Sequence, residues 1–149
     1  MVIYRFVLAA LLATTLMLTG CGMPGFVASC AEQSKPFLDQ IQPLARKWDD
    51  ANNLASQTPR MQLAVQIANL QAVRREAQDL KPPECAKPVQ DALVGSMDAT
   101  IQGFLDFMSQ KPDTTVQVSF AKANEQMSAF TKALAVVQGL SLDPTGESK

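Results

Sequence analysis

The chain has 149 residues, with 13 basic and 14 acidic side chains, three cysteines and no histidine. Near-neutral charge without a basic surplus argues against nucleic-acid binding, which needs a basic face. The absence of histidine rules out Ser–His and Cys–His nucleophilic machinery, histidine-ligated haem and most zinc or copper sites.

The N-terminus reads "MVIYR", whose one early positive charge is Arg5, followed by the uncharged run "FVLAALLATTLML". A short basic start, an apolar core and small residues before a cut site describe a secretory signal over residues 1–20. The apolar core, about 13 residues, is too short to span the ~30 Å hydrocarbon layer comfortably as a helix. Leu18-Thr19-Gly20-Cys21 then resembles the lipobox of bacterial lipoproteins. In that family the signal is cut before the cysteine, which is diacylated, and its new amine is often acylated as well. One acyl chain binds a membrane only marginally, whereas two or more anchor firmly. The resemblance therefore makes Cys21 a lipid anchor. Gly22 is not the aspartate that resembles an inner-membrane retention signal, which favours an outer membrane where there is one.

With Cys21 assigned to lipid, Cys30 and Cys85 remain as a pair. Export would place them where disulfides form and persist, so a Cys30–Cys85 bridge is the default expectation. The alternatives are two buried thiols or a metal pair, and two sulfurs without histidine make a poor metal site. Loss of residues 1–20 removes Arg5, leaving 14 acidic side chains against 12 basic ones, a net charge near −2.

Residues 21–30 read as the anchor cysteine and a short tether, because "GMPGFVAS" is small and turn-prone. Four amphipathic segments follow. In the first, from about Ser34 to Ser56, Phe37, Ile41, Leu44, Trp48, Ala51 and Ala55 recur at the helical period. Pro36 suits its first turn, and Pro43 is expected to kink or split it. The second opens on "TPR", with Thr58 as N-cap and Pro59 at the first helical position. Its inner face is Leu63, Ile67, Leu70, Ala77 and Leu80, and "KPP" ends it.

The third segment runs from about Cys85 to Gln110, with Val89, Leu93, Met97, Ile101, Phe104 and Met108 inside. Gly95 and Gly103 would permit the close approach of a neighbour. The fourth begins near "KPDTT", capped by Asp113 or Thr114. Its opening "TVQVSF" alternates like a strand, but Val116, Phe120, Ala123, Met127, Phe130, Leu134 and Val137 hold the 4-3 spacing of a helix. Gly139 fits a C-terminal cap, and residues 140–149 form a loose tail.

Four such helices with short loops predict an all-α, antiparallel up-down-up-down four-helix bundle over residues 31–139. An antiparallel first pair also places Cys30 and Cys85 at the same end, whereas a parallel pair would separate them by ~30 Å.

The segment "KWDDANNLASQTPRMQLAVQIANLQAVRREAQDLKPPEC" resembles a group of uncharacterised bacterial lipoproteins with W-D-x-A, T-x-R, L-Q-x-x-R-R and P-x-C elements. "LVGSMDATIQGFLDFM" fits the same pattern. The resemblance implies location and architecture and no activity.

Candidate chemistry is sparse. Trp48, Asp49, Asp50 and Arg60 form a possible polar cluster, with an aspartate reaching Arg60 across the hairpin turn. The favoured reading of it is a structural ion pair at a solvated helix end. Arg74 and Arg75 read as surface charges pairing with Glu76, Asp79 or a neighbouring helix. Met61, Met97, Met108 and Met127 suggest Cu(I) ligation less than core filling. Asp91, Asp98 and Asp106 read as an acidic, solvent-facing stripe, without the loop carbonyls a calcium site needs. The sequence thus predicts no catalytic residue, no metal site and no cofactor. It predicts a lipid-anchored bacterial protein facing the periplasm or the cell exterior, acting as a non-catalytic module on an envelope partner. The alternative is a carrier holding a small apolar ligand among Phe104, Met108, Met127 and Phe130.

Overall fold

The computed structural model describes residues 29–140. The expected signal segment, Cys21, most of the expected tether and residues 141–149 lie outside them. The described residues form four helices: α1 (Cys30–Ser56), α2 (Leu63–Asp79), α3 (Lys87–Met108) and α4 (Asp113–Val137). Two 3-10 turns, Arg60–Gln62 and Glu84–Ala86, precede α2 and α3. Successive helices run antiparallel, as the bundle reading required.

Helix α1 starts four residues earlier than the periodicity suggested. Ser29 accepts from the Glu32 backbone N–H, and the Glu32 carboxylate accepts from the Ser29 backbone N–H, a reciprocal capping box. Cys30 therefore belongs to the helix and not to the tether. The expected break at Pro43 does not occur: α1 is continuous with both Pro36 and Pro43 inside it. Both prolines are exposed. The carbonyls they leave unbonded, on Glu32 and Asp39 one turn earlier, lie on the same side, where water can hydrate them.

At the α1–α2 junction Thr58 does not cap the second helix. Its hydroxyl donates back to the Leu54 carbonyl at 2.6 Å, finishing α1 instead. Pro59 is the N-cap of the 3-10 turn, and α2 begins four residues later, at Leu63. At the far end of α2, the Gln90 side-chain amide donates to the carbonyls of Ala77, Gln78 and Leu80 at 2.8–3.1 Å. A side chain from α3 thus satisfies acceptors that every helix end leaves open.

The expected inner faces of α1 to α3 form the core: Phe37, Ile41, Leu44 and Trp48; Leu63, Ile67, Leu70 and Ala77; Val89, Leu93, Met97, Ile101 and Phe104. Burying each of the larger apolar side chains contributes roughly 1.5–3 kcal/mol. Helix α3 is the central element. Beside its large apolar face runs a second buried stripe of small residues, Ala92, Ser96, Ala99 and Gly103, which lets α4 approach closely. The α3–α4 interface is by far the most extensive in the fold, and α1 and α4 scarcely touch. Phe120, Met127, Phe130 and Leu134 of α4 are consequently only half-buried.

Two helix ends use a left-handed residue. Gly139, at φ 69°, closes α4 with Leu140 N–H donating to the Ala135 carbonyl. Gln110, at φ 55°, closes α3 in the same way, with Lys111 N–H donating to the Asp106 carbonyl. Asp113 lies in the first turn of α4 and does not cap it; the N-cap is Pro112.

Candidate functional site

Cys30 and Cys85 are joined by a disulfide, with their Cα atoms 6.0 Å apart. It ties the first residue of α1 to the turn between α2 and α3. Ser34, fully buried one turn below Cys30, places its hydroxyl 3.5 Å from Cys30 Sγ and 3.7 Å from Cys85 Sγ. Bonded sulfurs carry no proton, so the hydroxyl is the donor, its single proton shared between the two.

The four residues read as a polar cluster do not meet. Trp48 is buried in the core, while Asp49 and Asp50 are exposed and enter no ion pair among the described residues. Arg60 instead lies over the Phe107 ring, 4.6 Å from its centre, at the end of α3. The reason is axial distance. Asp50 lies six residues before the end of α1, about 9 Å along the axis, and the Pro59 turn carries Arg60 away toward α3.

The charges that do organise the bundle lie elsewhere. Arg74 on α2 donates from Nε and Nη2 to the two Asp98 oxygens on α3, both at 2.8 Å, and from Nη1 to Gln78. The hydrogen bonds it donates to Asp98 raise the Arg74 pKa above its already high ordinary value, against a lowering by burial. Lys47 on α1 pairs with Glu76 on α2. The aspartates of α3 are not one solvent stripe. Asp91 is exposed and Asp98 is paired, whereas Asp106 is buried and accepts from Gln102 Nε2 and Ser119 Oγ, each at 2.9 Å. The S-x-x-E signal of the capping box was present in the sequence; the partners of Asp106 carried no such signal.

Met97 is completely buried, Met108 and Met127 are half-buried, and Met61 is 97% exposed. Among the described residues no three His, Cys, Asp or Glu side chains gather as a metal ion would need. No described helix is long and apolar enough to cross a membrane.

Three surface features remain. A cleft of about 550 Å³ opens between α3 and α4, lined by Gly95, Asp98, Gln102, Ser119, Lys122 and Gln126 among others. A smaller one, about 300 Å³, lies between α1 and α2 beside Pro43 and the Lys47–Glu76 pair. The third is apolar: Leu54, Met61, Val65 and Phe107 are all exposed, at the end of the bundle opposite the disulfide. No protein-family model, curated protein or solved structure matches this chain.

Proposed function

We propose that this chain is a lipid-anchored extracytoplasmic protein of a bacterial envelope, acting as a non-catalytic interaction module. The observation that carries the reading is the Cys30–Cys85 disulfide. A bridge of this kind persists in an exported, oxidising setting, the same destination that the Leu18-Thr19-Gly20-Cys21 motif specifies. It also sits at the first residue of α1, nine residues after the anchor cysteine, so the stapled end of the bundle is the membrane end. The 27 residues of α1 extend about 40 Å. At that reach the exposed Leu54, Met61, Val65 and Phe107 stand away from the membrane, where an envelope protein would meet them.

Phe104, Met108, Met127 and Phe130, which a carrier needs around an open space, line neither cleft. That supports the interaction module over the carrier.

Intact-mass analysis of full-length protein from bacterial membranes tests the anchor. The expected mass lacks residues 1–20, carries acyl groups at Cys21 and has Cys30 and Cys85 oxidised, while Cys21→Ser leaves the chain unacylated. An unprocessed, lipid-free chain in the membrane would overturn the reading. For the module, a photoreactive side chain at Met61 is expected to join one envelope protein in fixed stoichiometry, with no product from Lys132.

A further inference from the structure

The α3–α4 cleft has features beyond those of a water-filled groove between helices. Its floor is open because Gly95 contributes no side chain there; a Cβ at that position would meet Gln126 Oε1 at 3.0 Å. Asp106, more than nine-tenths buried, anchors two of its walls at once by accepting hydrogen bonds from Gln102 on α3 and Ser119 on α4. An ionisable group held this deep costs desolvation unless its partners satisfy it, and here those partners are the side chains that line the cleft. Their hydrogen bonds to the buried Asp106 thus orient Gln102, itself exposed, and the half-buried Ser119.

That arrangement fixes what the two side chains still offer. The Ser119 proton is committed to Asp106, so its oxygen is left as an acceptor. Gln102 has used one amide N–H and retains its carbonyl oxygen. Both therefore call for N–H or O–H donors on a ligand. The charges are equally specific. Asp98, at the cleft, is neutralised by the two-pronged contact from Arg74. Lys122, on the opposite wall, enters no ion pair among the described residues. Asp106, beneath them, is met by neutral donors only, so among the described residues the cleft presents Lys122 as its one cation outside any ion pair, beside two acceptors bonded to that carboxylate, with the Gln126 amide available for either role.

We propose that the α3–α4 cleft binds a small ligand carrying a carboxylate next to N–H donors, the chemistry shared by a free amino acid and by the C-terminus of a short peptide. The carboxylate lies on Lys122, and the adjacent N–H groups donate to Ser119 Oγ and Gln102 Oε1. A volume of about 550 Å³ accommodates a di- or tripeptide. This site is independent of the distal apolar end and of the anchor.

The test is a titration of the mature chain, followed through its backbone amide resonances, with L-alanine, L-Ala-L-Ala-L-Ala and the C-terminally amidated tripeptide as probes. Saturable shifts are expected at Gly95, Gln102, Ser119, Lys122 and Gln126 with the free-carboxylate probes. Tighter binding of the tripeptide assigns the site to a peptide C-terminus, and equal or tighter binding of alanine assigns it to an amino acid. Lys122→Gln, at an exposed position that leaves the fold unchanged, weakens binding by roughly fivefold, the upper worth of a solvent-screened ion pair, as does amidation of the probe. Gly95→Leu, with folding checked by circular dichroism, fills the floor and abolishes it. Absence of saturable shifts with both free-carboxylate probes would overturn the proposal, as would binding that Lys122→Gln and Gly95→Leu both leave unchanged.

Discussion

Gly103 and Phe120 touch where a side chain would collide: a methyl group at Gly103 would lie 2.8 Å from the ring tip of Phe120. The ring has little room to retreat, because it meets Phe104 edge-to-face with centroids 5.4 Å apart. Gly103→Ala gains about 1 kcal/mol of helix propensity and incurs roughly 1–3 kcal/mol of overpacking. The expected outcome is a net destabilisation of about 1 kcal/mol. At Gly95 the nearest atoms belong to the flexible Gln126 side chain, so Gly95→Ala is expected to stabilise by about 0.5 kcal/mol. Paired urea denaturations of the two variants check the contrast, and stabilisation by both would show that the helices are not limited by contact at Gly103.

Gln110 holds a left-handed conformation that a non-glycine residue adopts at a cost of roughly 1–2 kcal/mol. Gln110→Gly relieves this but makes the unfolded chain more flexible. The net expectation is a gain of about 0.5–1 kcal/mol, read as a higher denaturation midpoint with an unchanged slope.

The disulfide closes a loop across a sequence separation of 55 residues. The chain-entropy relation assigns such a closure about 4 kcal/mol, and natural bridges in small exported domains span roughly 2–5 kcal/mol. Replacing Cys30 and Cys85 with alanine is therefore expected to lower stability by about 3–4 kcal/mol. It also leaves the buried Ser34 hydroxyl without its acceptors. Adding Ser34→Ala to the double variant should recover part of the loss, whereas Ser34→Ala alone should be mildly destabilising. Thermal unfolding of the three variants checks the order.

The Arg74–Asp98 pair joins α2 to α3 with both prongs formed, but its side chains remain 25% and 52% exposed. Solvent screening keeps the expected coupling near 1 kcal/mol in a double-mutant cycle with Arg74→Ala and Asp98→Ala, smaller at high salt. The Arg74 pKa is raised in the folded state. The stability linked to that shift is complete below the unfolded-state value and is lost only as pH rises through the folded one. The guanidinium's linked contribution therefore stays constant across the whole neutral range, and a loss of it between about pH 6 and pH 9 would contradict the assignment.

Much of the bundle was legible in the residues themselves. The 4-3 spacing of Phe37, Ile41, Leu44 and Trp48, and of its counterparts in α2 and α3, placed the core because apolar periodicity is a local property of the chain. So was Gly139, whose missing Cβ suits the left-handed cap that α4 requires. The Cys30–Cys85 pairing was the default once the lipobox resemblance set Cys21 aside, and the antiparallel order made it geometrically consistent. Helix ends were less legible. Pro43 looked like a break because its missing N–H is local, whereas the exposure that makes this tolerable depends on which way α1 faces.

The sequence by itself determined four amphipathic helices and their order, because periodicity needs no knowledge of neighbours; the Cys30–Cys85 staple was its default expectation, and the tertiary structure brings the two cysteines together. Only the tertiary structure decided that α3 is buried on two sides. Gly103 had signalled a close approach, but Ala92, Ser96 and Ala99 are small and acquire their role only when α4 lies against them. It likewise decided that Arg60 goes to Phe107 and Arg74 to Asp98, and that Asp106 lies beneath the α3–α4 cleft. Each of these contacts joins residues on different elements, and the distance between them is set by packing, on which local spacing is silent.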